Sequence, residues 1–249
     1  MTTTIAQDEV EKFSKIASEW WDPNGKFKPL HIFNPVRIGY LRRHIIAHFN
    51  KNEADALPFS GLKLLDIGCG GGLLSEPMRR LGADITGIDA SEKNIKTAMQ
   101  HAKEGDLNIN YLAMTSEELA QKEPETYDVI LNMEVIEHVA DPMLLVESCA
   151  KLLKPNGIFF IATLNRTLKS FGLAIIGAEY ILRWLPIGTH DWNKFLKPGE
   201  IQNMGEKSGL THQAWQGVSF NILTQKWSET DDLNVNYMGY FTKDKTSER

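Results

Sequence analysis

Short apolar runs alternate with amphipathic stretches through most of the chain. Residues 62–67, 84–88, 109–113, 127–132 and 158–163 are too short for helices and read as strands buried on both faces. Between them, residues 73–81, 91–103 and 141–153 carry helical spacing. The first is followed by Gly82 as its C′ residue, the second opens on Ser91 and stops near Gly105, and the third opens on Asp141-Pro142. Five strands alternating with helices predict an α/β doubly wound parallel sheet with right-handed crossovers and a ligand at its carboxyl edge. Lys197-Pro198-Gly199-Glu200 begins a further helix to Ser208, and residues 211–218 and 236–242 read as a closing antiparallel pair joined by residues 225–235.

Two regions fall outside that rhythm. Residues 5–21 place Val10, Phe13, Ile16, Ala17, Trp20 and Trp21 near one helical face, and Asp22-Pro23-Asn24-Gly25 breaks the run. This segment is either a helix packed on the domain or a lid whose tryptophans cover a cleft. Residues 27–40 hold two prolines and show little helical period before Val36, from which a helix to Phe49 is expected. Residues 168–188 are too apolar for an ordinary loop, yet Glu179 and Arg183 argue against a membrane span. The predicted organisation is one domain over 1–249: a helical lid (1–50), a core (61–163), an apolar helical insertion (167–190) and a closing unit (197–242).

The candidate chemistry starts at the first strand, which runs into Gly68-Cys69-Gly70-Gly71-Gly72. Residues without Cβ atoms let the turn adopt positive φ and let a ligand lie on bare N–H groups. Asp89, closing the second strand, is placed to accept both hydroxyls of an adenosine ribose. The dinucleotide pattern wants a third glycine where this chain has Leu73. Thr115 and Ser116, after the third strand, stand at the height of an adenine edge. Met133, ending the fourth, offers a soft contact to adenine or a sulfonium. Arg37 is a candidate clamp for a ligand carboxylate.

Met133-Glu134-Val135-Ile136-Glu137-His138-Val139 is the second informative stretch. In a helical turn, Glu134, Glu137 and His138 share one face. Two carboxylates and an imidazole can bind a divalent ion, Mg²⁺ above all, which would stabilise a phenolate. His138 as a general base without metal is equally adequate chemistry, with Glu137 beside it. A purely structural Glu–His contact is the third reading.

Bulk properties narrow the class. A net charge of −5 argues against a nucleic-acid-binding body. Two cysteines, Cys69 and Cys149, make no disulfide framework and suit a reducing compartment. Asp8, Glu9 and Glu11 stand where a signal peptide would be basic and then apolar. A cytoplasmic protein is expected.

Asp66-Ile67-Gly68-Cys69-Gly70-Gly71-Gly72 resembles the first motif of class I methyltransferases, and Gly87-Ile88-Asp89 their second. That resemblance decides for S-adenosylmethionine over NAD. Glu19-Trp20-Trp21-Asp22, Asn34-Pro35-Val36-Arg37, Thr163-Leu164-Asn165-Arg166, Gly177-Ala178-Glu179-Tyr180 and Gly188-Thr189-His190-Asp191 resemble the ubiquinone-biosynthesis O-methyltransferases over nearly the whole chain. The resemblance implies Arg37, Gly68, Asp89 and Met133 as cofactor contacts; the glycine turn and the segment after the third strand add Gly70 and Ser116 as candidates. The resemblance also implies Glu134, Glu137 and His138 as positions that some members use for a divalent ion. The substrates it implies are polyprenyl phenols and quinols, which favours peripheral docking to the inner face of a membrane; other quinone-biosynthesis enzymes become candidate partners. A C-methyltransferase of the same pathway and a non-catalytic adenosine-binding module are the alternatives. A DNA or glutamine N-methyltransferase would want an Asn/Asp-Pro-Pro-aromatic motif where Asn132-Met133-Glu134-Val135 stands.

Overall fold

In a computed structural model, residues 3–172 and 191–244 are described. Their centre is an eight-stranded sheet of order β3-β2-β1-β4-β5-β8-β6-β7. Strands β1 (Lys63–Ile67), β2 (Asp84–Asp89), β3 (Asn110–Ala113), β4 (Tyr127–Met133) and β5 (Leu153–Leu164) pair in parallel. The five predicted strands are all present. β5 begins five residues earlier than expected: Tyr127 pairs with Leu153, the register slips, and Val129 then pairs with Ile158. The predicted turn at Lys154-Pro155-Asn156-Gly157 is thus absorbed as an irregularity within the strand.

The period-two alternation explains why the middle of β4 is uniformly apolar. Val129, Leu131 and Met133 of β4 join one cluster with Tyr40, Leu41 and Ile45 of α2 (Lys28–His48) and Met78 of α3 (Ser75–Arg80). Ile130 faces the opposite cluster, with Leu119 of α5 (Ser116–Lys122) and Leu145 and Cys149 of α6 (Pro142–Leu152). Helices cover both faces, so both sets of side chains must be apolar.

The closing unit departs from expectation. β6 (Leu210–Asn221) and β8 (Asn236–Lys243) pair antiparallel, but a third strand, β7 (Lys226–Thr230), occupies the predicted connection and pairs with β6 at the sheet edge. Its sequence, Lys-Trp-Ser-Glu-Thr, carries almost no apolar signal because only Trp227 packs inward, against Phe33 with ring centroids 4.6 Å apart.

Three helix boundaries also move. Helix α2 starts at Lys28 rather than Val36: Pro29 lies in its first turn, where a missing N–H costs nothing, and Pro35 is tolerated inside. Helix α3 is trimmed to Ser75–Arg80 because the positive-φ turn persists through Gly72; Gly82, at φ 100°, ends it as predicted. The N-terminal segment is not one helix. It divides into α1 (Gln7–Ser14) and a 3₁₀ turn (Ala17–Glu19), which lets Trp20 and Trp21 reach different partners. The predicted insertion is described only through Phe171 and Gly172, beyond α7 (Leu168–Ser170); residues 173–190, with Glu179 and Arg183, and the tail after Asp244 lie outside the described residues. Helix α8 (Pro198–Lys207) matches its prediction closely.

Candidate active site

The glycine turn leaves β1 with Gly68, Gly70 and Gly72 at φ 68°, 54° and 90°. All three positions are closed to a side chain for a second reason, Gly72 because a Cβ there would stand 2.3 Å from the Tyr111 hydroxyl. A Cβ on Gly68 would stand 2.5 Å from a methyl of Val135, and one on Gly70 2.3 Å from the Trp20 ring. Beneath the turn, buried Asp66 accepts a hydrogen bond from Ser75 Oγ at 2.6 Å. Burial lifts its carboxyl to about 6 against the pull of Ser75 and Arg37. Burial also pushes the Cys69 thiol well above its ordinary range, which removes it as a nucleophile.

Asp89 is tied into that turn. Its Oδ2 accepts from Gly70 N at 3.0 Å, and its Oδ1 accepts from Ser91 N at 2.7 Å and Asn94 Nδ2 at 3.3 Å. Burial raises its pKa, and these hydrogen bonds oppose the rise. A carboxylate has about four acceptor positions, and the protein fills three. The capacity left is available to a ribose hydroxyl.

Two tryptophans roof the turn. Trp20 Nε1 donates to Asn94 Oδ1 at 3.0 Å, and Trp21 Nε1 to Gly71 O at 2.8 Å. Both rings therefore pack over the glycines. Asn94 was not legible as a site residue, since it sits in an amphipathic helix, α4 (Glu92–Glu104), where a polar residue normally faces water. Ser91 caps α4 as predicted, accepting from Asn94 N.

Gly68, Asp89, Ser116, Glu134 and His138 line one open cleft enclosing about 810 Å³, with Trp20, Asn94 and Glu9. Arg37, Gly70, Met133 and Glu137 stand behind its wall. Met133, at the end of β4, is buried among the apolar side chains packed against α2. Thr115 spends its hydroxyl capping α5, while Ser116 is buried beside Glu117. Arg37 is buried, donates to Asn34 Oδ1, and keeps a buried Nε with no hydrogen-bond partner among the described residues. Burial lowers its pKa to about 10, and Glu134 and Asp66 resist the fall. An orphaned guanidinium N–H fits the carboxylate of a zwitterionic adenosine ligand.

The acidic turn after β4 is not the helical face that spacing suggested. Glu134 takes φ 63°, and only Ile136–His138 forms a 3₁₀ turn, so the three residues do not share a continuous helical face. Among the described residues, no group of three His, Cys, Asp or Glu is placed to hold a metal ion. His138 Nδ1 instead meets Glu9 Oε2 of α1 at 3.1 Å. Glu9 Oε1 accepts from Lys194 Nζ at 3.1 Å. Burial works to raise the Glu9 pKa, but the His138 hydrogen bond and charge, with Lys194 and Lys12, bring it to about 2. Glu137 is buried, and desolvation with the nearby charge of Glu134 pushes its carboxyl up to about 8. Glu134 and Glu137 would suit a cation; the imidazole, as placed, does not.

A family profile described as "Methyltransferase domain" matches residues 39–214. The magnesium protoporphyrin IX methyltransferase from Synechocystis, solved with bound S-adenosylmethionine, superposes with a TM-score of 0.63 at 16% identity, covering 98% of this chain and 100% of that one. That likeness shows the class I methyltransferase fold. The ubiquinone biosynthesis O-methyltransferase of Pelagibacter ubique is 57% identical over 96% of this chain and 99% of its own. The same-named protein of Caulobacter vibrioides is 57% identical over 97% and 96%. Identity at that level along nearly the entire length of both relatives, with the glycine turn and the β2 acid joined as described, means that the chain belongs to the ubiquinone biosynthesis O-methyltransferases, which are S-adenosylmethionine-dependent enzymes.

Proposed function

We propose that the chain methylates ring hydroxyls of polyprenylated phenols and quinols, 2-polyprenyl-6-hydroxyphenol and 3-demethylubiquinol, with His138 as general base. The observation that carries this reading is the pairing of His138 with Glu9 in the same cleft as Gly68 and Asp89. A carboxylate that accepts from Nδ1–H fixes the tautomer whose lone pair is on Nε2, the form able to take a phenol proton. S-adenosylmethionine, when bound, supplies an electrophilic methyl on a sulfonium. Gly68 offers bare backbone to it, Gly70 steadies the Asp89 carboxylate through its N–H, Asp89 is a ribose acceptor, Ser116 a wall on the adenine side, and Arg37 a positive charge for the carboxylate. Met133, at the end of β4, is placed to give adenine or the sulfonium a soft contact. A phenol with a pKa of about 10 is almost wholly protonated at neutral pH, so proton removal at the attacking oxygen is the step the protein must assist.

One observation favours a second reading. Glu137 and Glu134 repel one another in a buried place. A divalent cation, Mg²⁺ first, held by Glu134, Glu137 and a His138 released from Glu9, would relieve that repulsion and stabilise a phenolate.

The test is methyl transfer to a short-chain demethylated quinol, with and without chelator. Activity that survives chelation and is lost in His138→Gln supports the base. Activity abolished by chelator and restored by Mg²⁺ supports the cation. Methylation of ring carbon, or of no acceptor, overturns the assignment.

No helix among the described residues is long and apolar enough to cross a membrane. A lipid-tailed substrate nevertheless favours a protein that works at the cytoplasmic face of a bilayer, docking through residues 168–188, beside other quinone-biosynthesis enzymes. Exposed Leu168 and Phe171 open that segment. Deleting it should cut binding to liposomes; undiminished binding would remove the docking idea.

A further inference from the structure

Trp20, Asn94 and Asp89 are joined in line. The indole N–H donates to Asn94 Oδ1, and Asn94 Nδ2 donates to Asp89 Oδ1. We propose that Trp20 and Asn94 are positioning residues of the cofactor site, through which the N-terminal segment fixes the Asp89 carboxylate for one ribose hydroxyl of an S-adenosyl ligand. This rests on the ribose role proposed for Asp89 and adds the residues that aim it.

The chemistry of the line permits only one direction. An indole N–H can only donate, so Asn94 must turn its oxygen to Trp20 and its NH₂ to the carboxylate. A flipped amide would set N–H against N–H and oxygen against oxygen. Asn94 is 2% exposed, among Ile95, Ala98 and Ala102 on the buried side of α4. A buried amide with no partners is costly, and these two contacts occupy both of its ends.

The second donor to Oδ1 is held from the same side. Ser91, whose N–H reaches Asp89, shares a 2.6 Å hydroxyl contact with Ser14 at the end of α1. Both groups that donate to Oδ1 therefore belong to residues gripped by the N-terminal segment, Ser91 by Ser14 and Asn94 by Trp20. Trp20 is itself braced. Phe27 stacks on it at 3.7 Å and 10°, and His31 Nε2 meets its carbonyl at 2.9 Å. Its ring can rest on Gly70 and Gly71 only because neither carries a Cβ, which would stand 2.3 and 2.5 Å from it.

The experiment compares binding of S-adenosylhomocysteine with its 2′-deoxy and 3′-deoxy analogues by titration calorimetry. Wild-type protein should prefer the parent over one of the analogues by roughly tenfold or more. Asp89→Ala should collapse that preference. Asn94→Asp keeps the size and the acceptor for Trp20 but places oxygen against the Asp89 carboxylate; it should reduce the preference at least threefold, as should Trp20→Phe. Collapse in Asp89→Ala with full preference in both other variants overturns the positioning role and leaves the ribose reading standing. Full preference in Asp89→Ala removes both. If Trp20→Phe does not fold, the wild-type Trp20 indole N–H resonance decides alongside Asn94→Asp. It should move on adding S-adenosylhomocysteine and move less with the discriminated deoxy analogue; equal shifts overturn the inference.

Discussion

Glu9 and His138 lie 129 positions apart in sequence and meet at 3.1 Å, joining the first helix to the turn that follows the fourth strand. The contact is the kind that sets an imidazole's tautomer and orientation. Replacing Glu9 by Gln keeps the shape and removes the charge. The expected result is a fall in kcat of roughly tenfold or more with little change in cofactor KM, because the substitution acts on proton transfer rather than on binding. A KM effect without a kcat effect would assign Glu9 to packing alone.

The same carboxylate predicts an acid limit for the N-terminal segment. Glu9 is held at about 2 in the folded chain against an ordinary value of 4.5. A depressed carboxyl contributes stability that is present above 4.5 and is lost as pH falls towards 2. Trp20 and Trp21 fluorescence should therefore report release of the segment within that window, and Glu9→Gln should show a weaker transition there. An identical acid profile in the variant would dissociate Glu9 from docking.

Gly68→Ala should be costly for two independent reasons, a φ of 68° and a methyl 2.5 Å from Val135 Cγ2. Strain of this kind is worth roughly 1–3 kcal/mol. The denaturation midpoint should drop accordingly, and S-adenosylhomocysteine binding should weaken with it. Val135→Ala in the same chain should recover part of the steric loss but not the loss due to φ. Complete recovery would mean that backbone conformation contributes nothing here.

What the sequence made legible follows from where apolar residues are forced. β4 and β5 are covered on both faces, so Val129–Leu131 and Ile158–Ile161 had to be uniformly apolar, and those strands were plain. β7 lies at the edge and reads as loop. Gly68 and Asp89 were visible because a turn between strand and helix constrains residue type locally. Glu9 and Asn94 were not, because each sits in an amphipathic helix where a polar side chain looks solvent-facing and its partner is far away in sequence. Glu134 misled for a different reason: spacing assumes continuous helix, and a single residue at φ 63° breaks it.

Glu137 provides the last prediction. Burial and the charge of Glu134 hold its proton on up to about 8, whereas the unfolded chain releases it near 4.5. Between those values the folded state binds more protons than the unfolded, so this group makes stability fall as pH rises through the window and level off above it. Glu137→Gln is a neutral isostere and removes the dependence. Its melting temperature should match wild type near pH 4.5 and exceed it at pH 8, by roughly 2–4 °C for each kcal/mol of relief. Mg²⁺ gives a second reading of the same melts. If the Glu134–Glu137 pair takes a cation, Mg²⁺ should raise the wild-type midpoint at pH 8 and leave Glu137→Gln unmoved; if His138 acts alone, neither midpoint should respond. A variant no more stable than wild type at pH 8 would show that the buried carboxyl has another source of compensation.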